Sequence, residues 1–355
     1  MARGCARPRR ISKSSADLGR GTALTAPHIR FETRASKPPV FHMTAPLIAA
    51  AKARSGLDVR LSLGADLRDT GWLADAVGLV TSNDIVRDPK FPIGELAKAA
   101  PNLRWIHIIG AGIEPLLPLD WLPDGFVLTN NSGVHVQKTR EAAMMALLML
   151  NARLPAIVTN QREARWDQIF TPRIAGKTVL IIGVGEMGGA VAGAAKTLGL
   201  RVIGARRSGA PHPDIDRMVA VGDLDTVLPE ADFVVLAAPL TLETRNLLDR
   251  RRIGLMKPGA GFFNIGRAGS VDHQALVEAL RSGAVCGAIL DVYDPEPLPA
   301  SSALWHADNL VLTPHVTSDD LEEYLPKTLD LVFANAARLM HGEPLINAVD
   351  PARGY

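Results

Sequence analysis

Residues 176–207 read GKTVLIIGVGEMGGAVAGAAKTLGLRVIGARR, and the order of patterns in that stretch decides the fold. Residues 179–182 are a continuous apolar run, as expected of a strand buried on both faces. Gly183, Gly185 and Gly188 then fall at G-x-G-x-x-G spacing, followed by a helix-like run and a second strand. In that setting the first glycine permits the turn, the second lets backbone approach a pyrophosphate, and the third lets helix pack on strand. The amides of Glu186 and Met187, at the start of the helix, are free to hold phosphate oxygens.

Downstream, ADFVVLAAPLTLETRNLLD (231–249) supplies another buried strand, whose end at Pro239 should border the same ligand at the carboxyl edge of the sheet. Upstream, from about residue 28, strand-like and helical runs alternate: HIRFET, TAPLIAAAKAR, DVRLSL, AVGLVTS, IGELAKAA, RWIHIIG, FVLTNN. Such alternation predicts a second parallel sheet with helices on its faces. VHVQKTREAAMMALLMLNARLP (134–155) reads as one long helix crossing to the dinucleotide unit. EYLPKTLDLVFANAARLMHGEPLINAVD (323–350) reads as a return helix ending at Gly342. The expected organisation is therefore α/β with two Rossmann-like units and a cleft between them. A substrate unit spans 28–134 and 319–355, a dinucleotide unit spans 135–318, and a basic tail occupies 1–27.

Three strand-like runs of the second unit end in groups that can run a redox reaction: GFFNIGR ends at Arg267, AILDVYDPEP carries Glu296, and NLVLTPH ends at His315. A guanidinium offers a planar fork of donors for a carboxylate and an adjacent carbonyl. An imidazole can give or take a hydroxyl proton, and a carboxylate bonded to it keeps it protonated toward neutral pH. Of nine histidines, His315 alone follows both a buried strand and a TP turn. In the first unit, IIGAGIEPL (108–116) puts small residues after a strand, where the amides of Ala111 and Gly112 can approach a ligand carboxylate. A plain tight turn is the competing reading.

An Arg, a Glu 29 positions later within DPEP, and a His in TPH together resemble the D-2-hydroxyacid dehydrogenases, of the glyoxylate/hydroxypyruvate reductase type, and the likeness covers nearly everything after residue 28. The resemblance implies a flavodoxin-like substrate unit and hydride exchange between a nicotinamide nucleotide and a 2-keto or 2-hydroxy acid. It makes Arg267 the substrate ligand, Glu296 and His315 the acid/base pair, and the Ala111–Gly112 loop the second carboxylate contact. Ile265 and Asp291 are placed at the nicotinamide end, with turn capping as the alternative for Asp291. Two-fold homodimers through the dinucleotide unit are implied as well. Ala268 stands where the family usually has Gly, and PHVTS where PHIG or PHVA is common; neither change removes a reacting group. Glu296 argues against formate-type relatives, whereas phosphite-oxidising relatives keep the trio. A regulated phosphoglycerate dehydrogenase is the remaining alternative, and no added regulatory domain of that kind is expected after the return helix.

An NAD-specific site would place Asp or Glu at the end of the second strand. This chain has Arg206 there, flanked by Arg207 and Ser208, a set suited to a 2′-phosphate through charge-assisted bonds. NADP(H) is the expected cofactor, with NAD(H) the alternative. A nucleotide-sensing corepressor like the C-terminal binding proteins, the other functional class on this fold, would be expected to bind NAD(H) and lacks its acidic residue here.

Composition sets the remaining bounds. The chain has 355 residues, 47% hydrophobic and 21% charged, ordinary for a globular enzyme. Its longest strongly apolar stretch, 142–150, is about half a bilayer span. Nine of the 39 basic residues and two of the 37 acidic ones fall in the first 37 positions, leaving 30 basic and 35 acidic elsewhere, so no nucleic-acid surface is expected on the folded body. Two cysteines, Cys5 and Cys286, offer neither a disulfide framework nor a metal spacing. A cytoplasmic location is expected, or an organelle matrix if the Arg- and Ser-rich tail is a transit peptide.

Overall fold

The structure is a computed structural model that describes residues 26–34, 38–64 and 69–351. Residues 1–25 of the basic tail, with Cys5, lie outside the described residues. The chain builds two wholly parallel sheets. The first contains β1 (His28–Glu32), β2 (Arg60–Gly64), β3 (Ala76–Thr81), β4 (Trp105–Ile108) and β5 (Val127–Asn130) in the order β2-β1-β3-β4-β5. That is the flavodoxin-like order, with its switch point between β1 and β3. The second contains β6 (Thr178–Ile182), β7 (Arg201–Ala205), β8 (Arg217–Val219), β9 (Phe233–Leu236), β10 (Ala260–Asn264), β11 (Val285–Leu290) and β12 (Leu310–Leu312) in the order β12-β11-β10-β9-β6-β7-β8. Here the order reverses between β6 and β9, the crevice where a doubly wound sheet binds nucleotide.

Side-chain alternation feeds a core on each face of each sheet. In the second sheet Leu180 and Ile182 point into one cluster, while Val179 and Ile181 point into the other. In the first, Ile29, Phe31, Val80 and Trp105 face one cluster and Leu79, Ile106 and Ile108 the opposite one. β1 also carries polar groups inward: Arg30 and Glu32 form a fully buried pair at 2.8 Å, and Asp69 lies 2.9 Å from the same guanidinium. Buried pairs of this kind roughly break even against desolvation, so the apolar clusters hold the sheet.

Helix α1 (Ala45–Ser55) packs in the first unit; α2 (Val136–Asn151) and α3 (Leu154–Arg162) lead to the second; α4 (Glu186–Thr197) follows β6. The single long helix expected over 134–155 is thus two. Arg153 adopts the left-handed conformation (φ 58°) and Pro155 opens the second helix, because proline has no N–H to continue the first helix and is pre-set for a helix's first turn. Ala143, Ala146, Leu147 and Leu150 of α2 pack in the second unit's core with Val179 and Ile181. The expected return helix forms as Tyr324–Met340, closed by Gly342 (φ 67°). It lays Leu325, Leu329, Val332 and Phe333 against Ile29 and Phe31. The chain therefore crosses between the units twice.

Candidate active site

Three neighbouring strands end level with one another. Asn264 of β10 pairs with Leu290 of β11, and Leu290 with Leu312 of β12. The segments that follow these residues carry Arg267, Asp291 with Glu296, and His315, so parallel register alone brings them to one edge.

His315 Nδ1 lies 3.0 Å from Glu296 Oε1 and 2.8 Å from Oε2. Glu296 Oε1 also accepts the Tyr293 amide at 2.9 Å. The bond to Glu296 raises the His315 pKa above its ordinary 6.5; partial burial opposes the rise, the Glu296 and Asp291 charges add to it, and the Arg267 charge opposes it. Partial burial resists ionisation of Glu296, but the bonds from His315 and the Tyr293 amide and the nearby positive charges outweigh it, holding the carboxyl below its usual range. Both side chains are about half-exposed (47% and 38%). At that exposure the pair adds little to stability; its consequence is an imidazole biased toward its charged form, with Nε2 on the side away from Glu296.

The turn that presents His315 is held by Asp291. This buried carboxylate accepts Thr313 Oγ1 (2.7 Å), Thr317 Oγ1 (2.8 Å) and the amides of Val316 (3.1 Å) and Thr317 (3.3 Å). His315 itself takes φ 55°, a conformation that β-carbon residues adopt only when their surroundings impose it. These side-chain hydrogen bonds of Asp291 all go to this turn, as the capping alternative of the sequence reading expects. The Tyr293 hydroxyl sits between the carbonyls of Leu290 and Thr313 (2.7 and 2.8 Å) and ties the ends of β11 and β12 together. Neither Tyr293 nor this clamp has a signal in the sequence beyond an aromatic residue after a strand.

Arg267 is aimed by Asn264, a fully buried side chain that donates to the Arg267 carbonyl at 3.3 Å and accepts the Gly266 amide at 3.0 Å. Ala268, in the position usually held by Gly, is buried within the short turn 268–270. From the opposite unit Glu114 reaches across: its oxygens lie 3.0 Å from Arg267 Nε and 3.2 Å from Nη2. Sequence reasoning missed Glu114 because its partner is 153 residues away. The small-residue loop stands beside this pair. A Cβ at Gly112 would fall 1.8 Å from Arg267 Nη2. The Gly112 and Ala111 carbonyls are each held at 2.8 Å, by Asn83 Nδ2 and Asn130 Nδ2, so the loop is braced from two strand ends. Substrate-loop and trio residues therefore meet across one cleft.

The nucleotide residues occupy the second unit's switch point. Gly183 has φ 94°, and a Cβ there would strike Ala238 backbone at 2.5 Å; at Gly188 it would lie 1.9 Å from the Gly183 carbonyl oxygen. At Gly185 it would meet nothing within 4 Å, so protein packing does not require that glycine. Gly185 caps α4, whose first residues are Glu186 and Met187. Ile265 is buried against the end of β9 and Pro239 is exposed at the edge beyond it. Arg206 follows β7 and folds against the carbonyls of Ala210 and Pro211 (2.8 Å each), with Val184 of the glycine turn 3.5 Å away. Arg207 and Ser208 are exposed beside it. Among the described residues no group of three or more His, Cys, Asp or Glu could hold a metal ion, and Cys286 is buried within β11.

Residues 144–317 match the family model for the NAD binding domain of D-isomer specific 2-hydroxyacid dehydrogenases. A glyoxylate reductase of Thermofilum pendens is 31% identical over 264 residues, 70% of this chain and 75% of that protein. The chain belongs to the D-isomer specific 2-hydroxyacid dehydrogenases. The family's solved structures superpose on both units. One from Xanthobacter autotrophicus Py2, in complex with NADPH and MES, is 29% identical with a TM-score of 0.79, covering 93% of this chain and all of that one. An NADPH-dependent glyoxylate/hydroxypyruvate reductase of Sinorhizobium meliloti, in complex with NADP and sulfate, is 26% identical with a TM-score of 0.75 over the same shares. As a member of this family, the chain is an NAD(P)-dependent oxidoreductase of 2-hydroxy acids.

The three glycines should separate by role. Gly188→Ala must displace backbone and is expected to cost about 1–3 kcal/mol, seen as a lower melting temperature. Gly185→Ala should melt like the parent yet bind dinucleotide roughly tenfold more weakly. Equal melting of the two variants would remove the distinction.

Proposed function

We propose that the protein reduces a small 2-keto acid, of the glyoxylate or hydroxypyruvate kind, to the D-2-hydroxy acid with NADPH. The observation that carries this reading is the Glu296–His315 pair at 2.8 Å on the same sheet edge as Arg267. NADPH, when bound along the glycine turn, supplies the hydride that arrives at the carbonyl carbon. Arg267 binds the substrate carboxylate and carbonyl oxygen, and the braced Ala111–Gly112 amides hold the carboxylate from the other side of the cleft. Because Glu296 occupies Nδ1, His315 delivers its proton from Nε2 to the carbonyl oxygen, and regains one from solvent through its half-exposed ring. Glu296 keeps that proton on the ring while substrate binds.

Arg206, Arg207 and Ser208 support NADP(H) over NAD(H), since the position that would bond a ribose hydroxyl through a carboxylate holds a guanidinium. The NADPH and NADP complexes of the two related structures agree with this choice. Initial rates with NADPH and NADH against glyoxylate, hydroxypyruvate, pyruvate and phenylpyruvate test the reading. NADPH should be preferred on the first two, and Arg206→Asp should shift the preference toward NADH. No turnover on any of the four would overturn the function, and an unchanged nucleotide preference in the variant would overturn the cofactor assignment.

The pH profile follows from the sign of the His315 shift. Its protonated form predominates below 6.5 and is lost as pH rises through a value above 6.5, so kcat/KM for reduction should be level on the acid side and fall at alkaline pH. Glu296→Gln should move that fall to lower pH. A reduction rate that climbs with pH would remove His315 from the acid role.

The homodimer implied by the family likeness is supported by apolar side chains along one stretch of chain, from Met145 and Leu148 on α2 to Trp166 and Phe170, which are 94% and 86% exposed. Light scattering should give twice the 37.9 kDa of the chain. Replacing Trp166 and Phe170 together by Ser should yield the single-chain mass, and a parent protein already at that mass would sink the dimer.

A further inference from the structure

We propose that Glu114 is a positioning residue for substrate binding: reaching from the first unit, it holds the Arg267 guanidinium side-on and leaves its outer edge for the keto acid. The inference rests on the function proposed above and assigns a part of the site to a residue that lies outside the catalytic trio.

Glu114 opens the short turn 114–116 directly after the small-residue loop. Glu114 Oε2 accepts one Nη2–H of Arg267 at 3.2 Å and Oε1 lies 3.0 Å from Nε in the same ion pair, while the Gly266 carbonyl takes one Nη1–H at 2.7 Å. A guanidinium has five N–H groups. One on each terminal nitrogen is thus committed and the Nε edge faces Glu114, which leaves one N–H on each terminal nitrogen, the pair suited to a planar carboxylate and its adjacent carbonyl. Gly112 permits the arrangement, since a Cβ there would lie 1.8 Å from Nη2 and 2.5 Å from Glu114 Oε2. Glu114 Oε1 also stands 3.4 Å from the Leu240 amide, on the loop after β9 that borders the nucleotide. One carboxylate therefore touches the substrate-binding fork and the nucleotide-side loop from across the cleft. The guanidinium is fixed for substrate only while the two units are together, so Glu114 couples cleft geometry to substrate affinity.

Two effects of Glu114 oppose one another. Its charge lowers the attraction of Arg267 for an anionic substrate, and its bonds remove the freedom of a long side chain that would otherwise be ordered at the substrate's expense. The side chains of Arg267 and Glu114 are 29% and 17% exposed, so water screens part of the charge effect, while misorientation of a binding group is unscreened and costs up to about a hundredfold. Orientation therefore dominates, and removing Glu114 weakens substrate binding.

The test uses Glu114→Gln, which keeps the shape and one acceptor, and Glu114→Ala, with the full-length enzyme. The readouts are KM and kcat for glyoxylate, the dissociation constant of oxalate as an unreactive planar mimic, and that of NADPH. KM and the oxalate constant should rise together, roughly tenfold or more in the Ala variant and less in the Gln variant. kcat should fall by a smaller factor, and the NADPH constant should stay within about twofold, a split that a general loss of folding would not produce. Should either variant keep parental KM and oxalate constants, Glu114 does not position Arg267. Should both constants drop, Glu114 competes with substrate for the guanidinium and the proposal is reversed. A parent enzyme that reduces no 2-keto acid would defeat the function above, whereas an active parent with indifferent variants would defeat only this inference.

Discussion

Parallel register is the constraint on which the site depends. In a parallel sheet neighbouring strands finish side by side, and the pairing of Asn264, Leu290 and Leu312 makes the segments after β10, β11 and β12 emerge at one edge. Residues 267, 296 and 315 are far apart in the chain, yet no long-range device is needed to gather them. What remains to be set locally is direction. Asn264 sets it for the loop of Arg267, Asp291 for the turn of His315, and the Tyr293 amide for Glu296. Asn264 and Tyr293 lie at or just beyond the end of the strand whose loop they steer, and Asp291 lies just beyond the neighbouring strand, so the rigid part of the fold does the aiming.

The sheet edge also explains how much of the molecule could be read from its residues. The glycine turn, the apolar runs and the three strand ends carry local signals, because buried strands and tight turns restrict residue type position by position. Those elements form where the residues place them. The break at Arg153 is less legible: the apolar pattern continues through it, and only Pro155 marks the change. Asp291 shows a different limit. An acid after a strand can face a ligand or cap a turn, and the choice depends on Thr313 and Thr317, which are distant in the chain until the sheet forms.

Glu114 marks the boundary of local reading most clearly. Nothing in IIGAGIEPL distinguishes a carboxylate that faces solvent from one that spans a cleft to a guanidinium in another unit. Asn83 and Asn130, whose amides brace the small-residue loop from within its own unit, carry no local signal either. Sequence patterns report what a segment needs from its own backbone; they are silent on pairs whose members belong to separately wound sheets, because those pairs are fixed by how the units dock.

The double crossing has a consequence for how the protein is made. The first sheet is synthesised before the second, but the helix that covers Ile29 and Phe31, Tyr324–Met340, leaves the ribosome only after the whole of the second sheet. Until it arrives, one face of the earliest sheet has no lid, while the middle unit already possesses all the residues of its own two clusters. Contacts of such long sequence separation form late, so during translation the nucleotide-binding half matures inside an unfinished host, and the portion born first waits longest for its core.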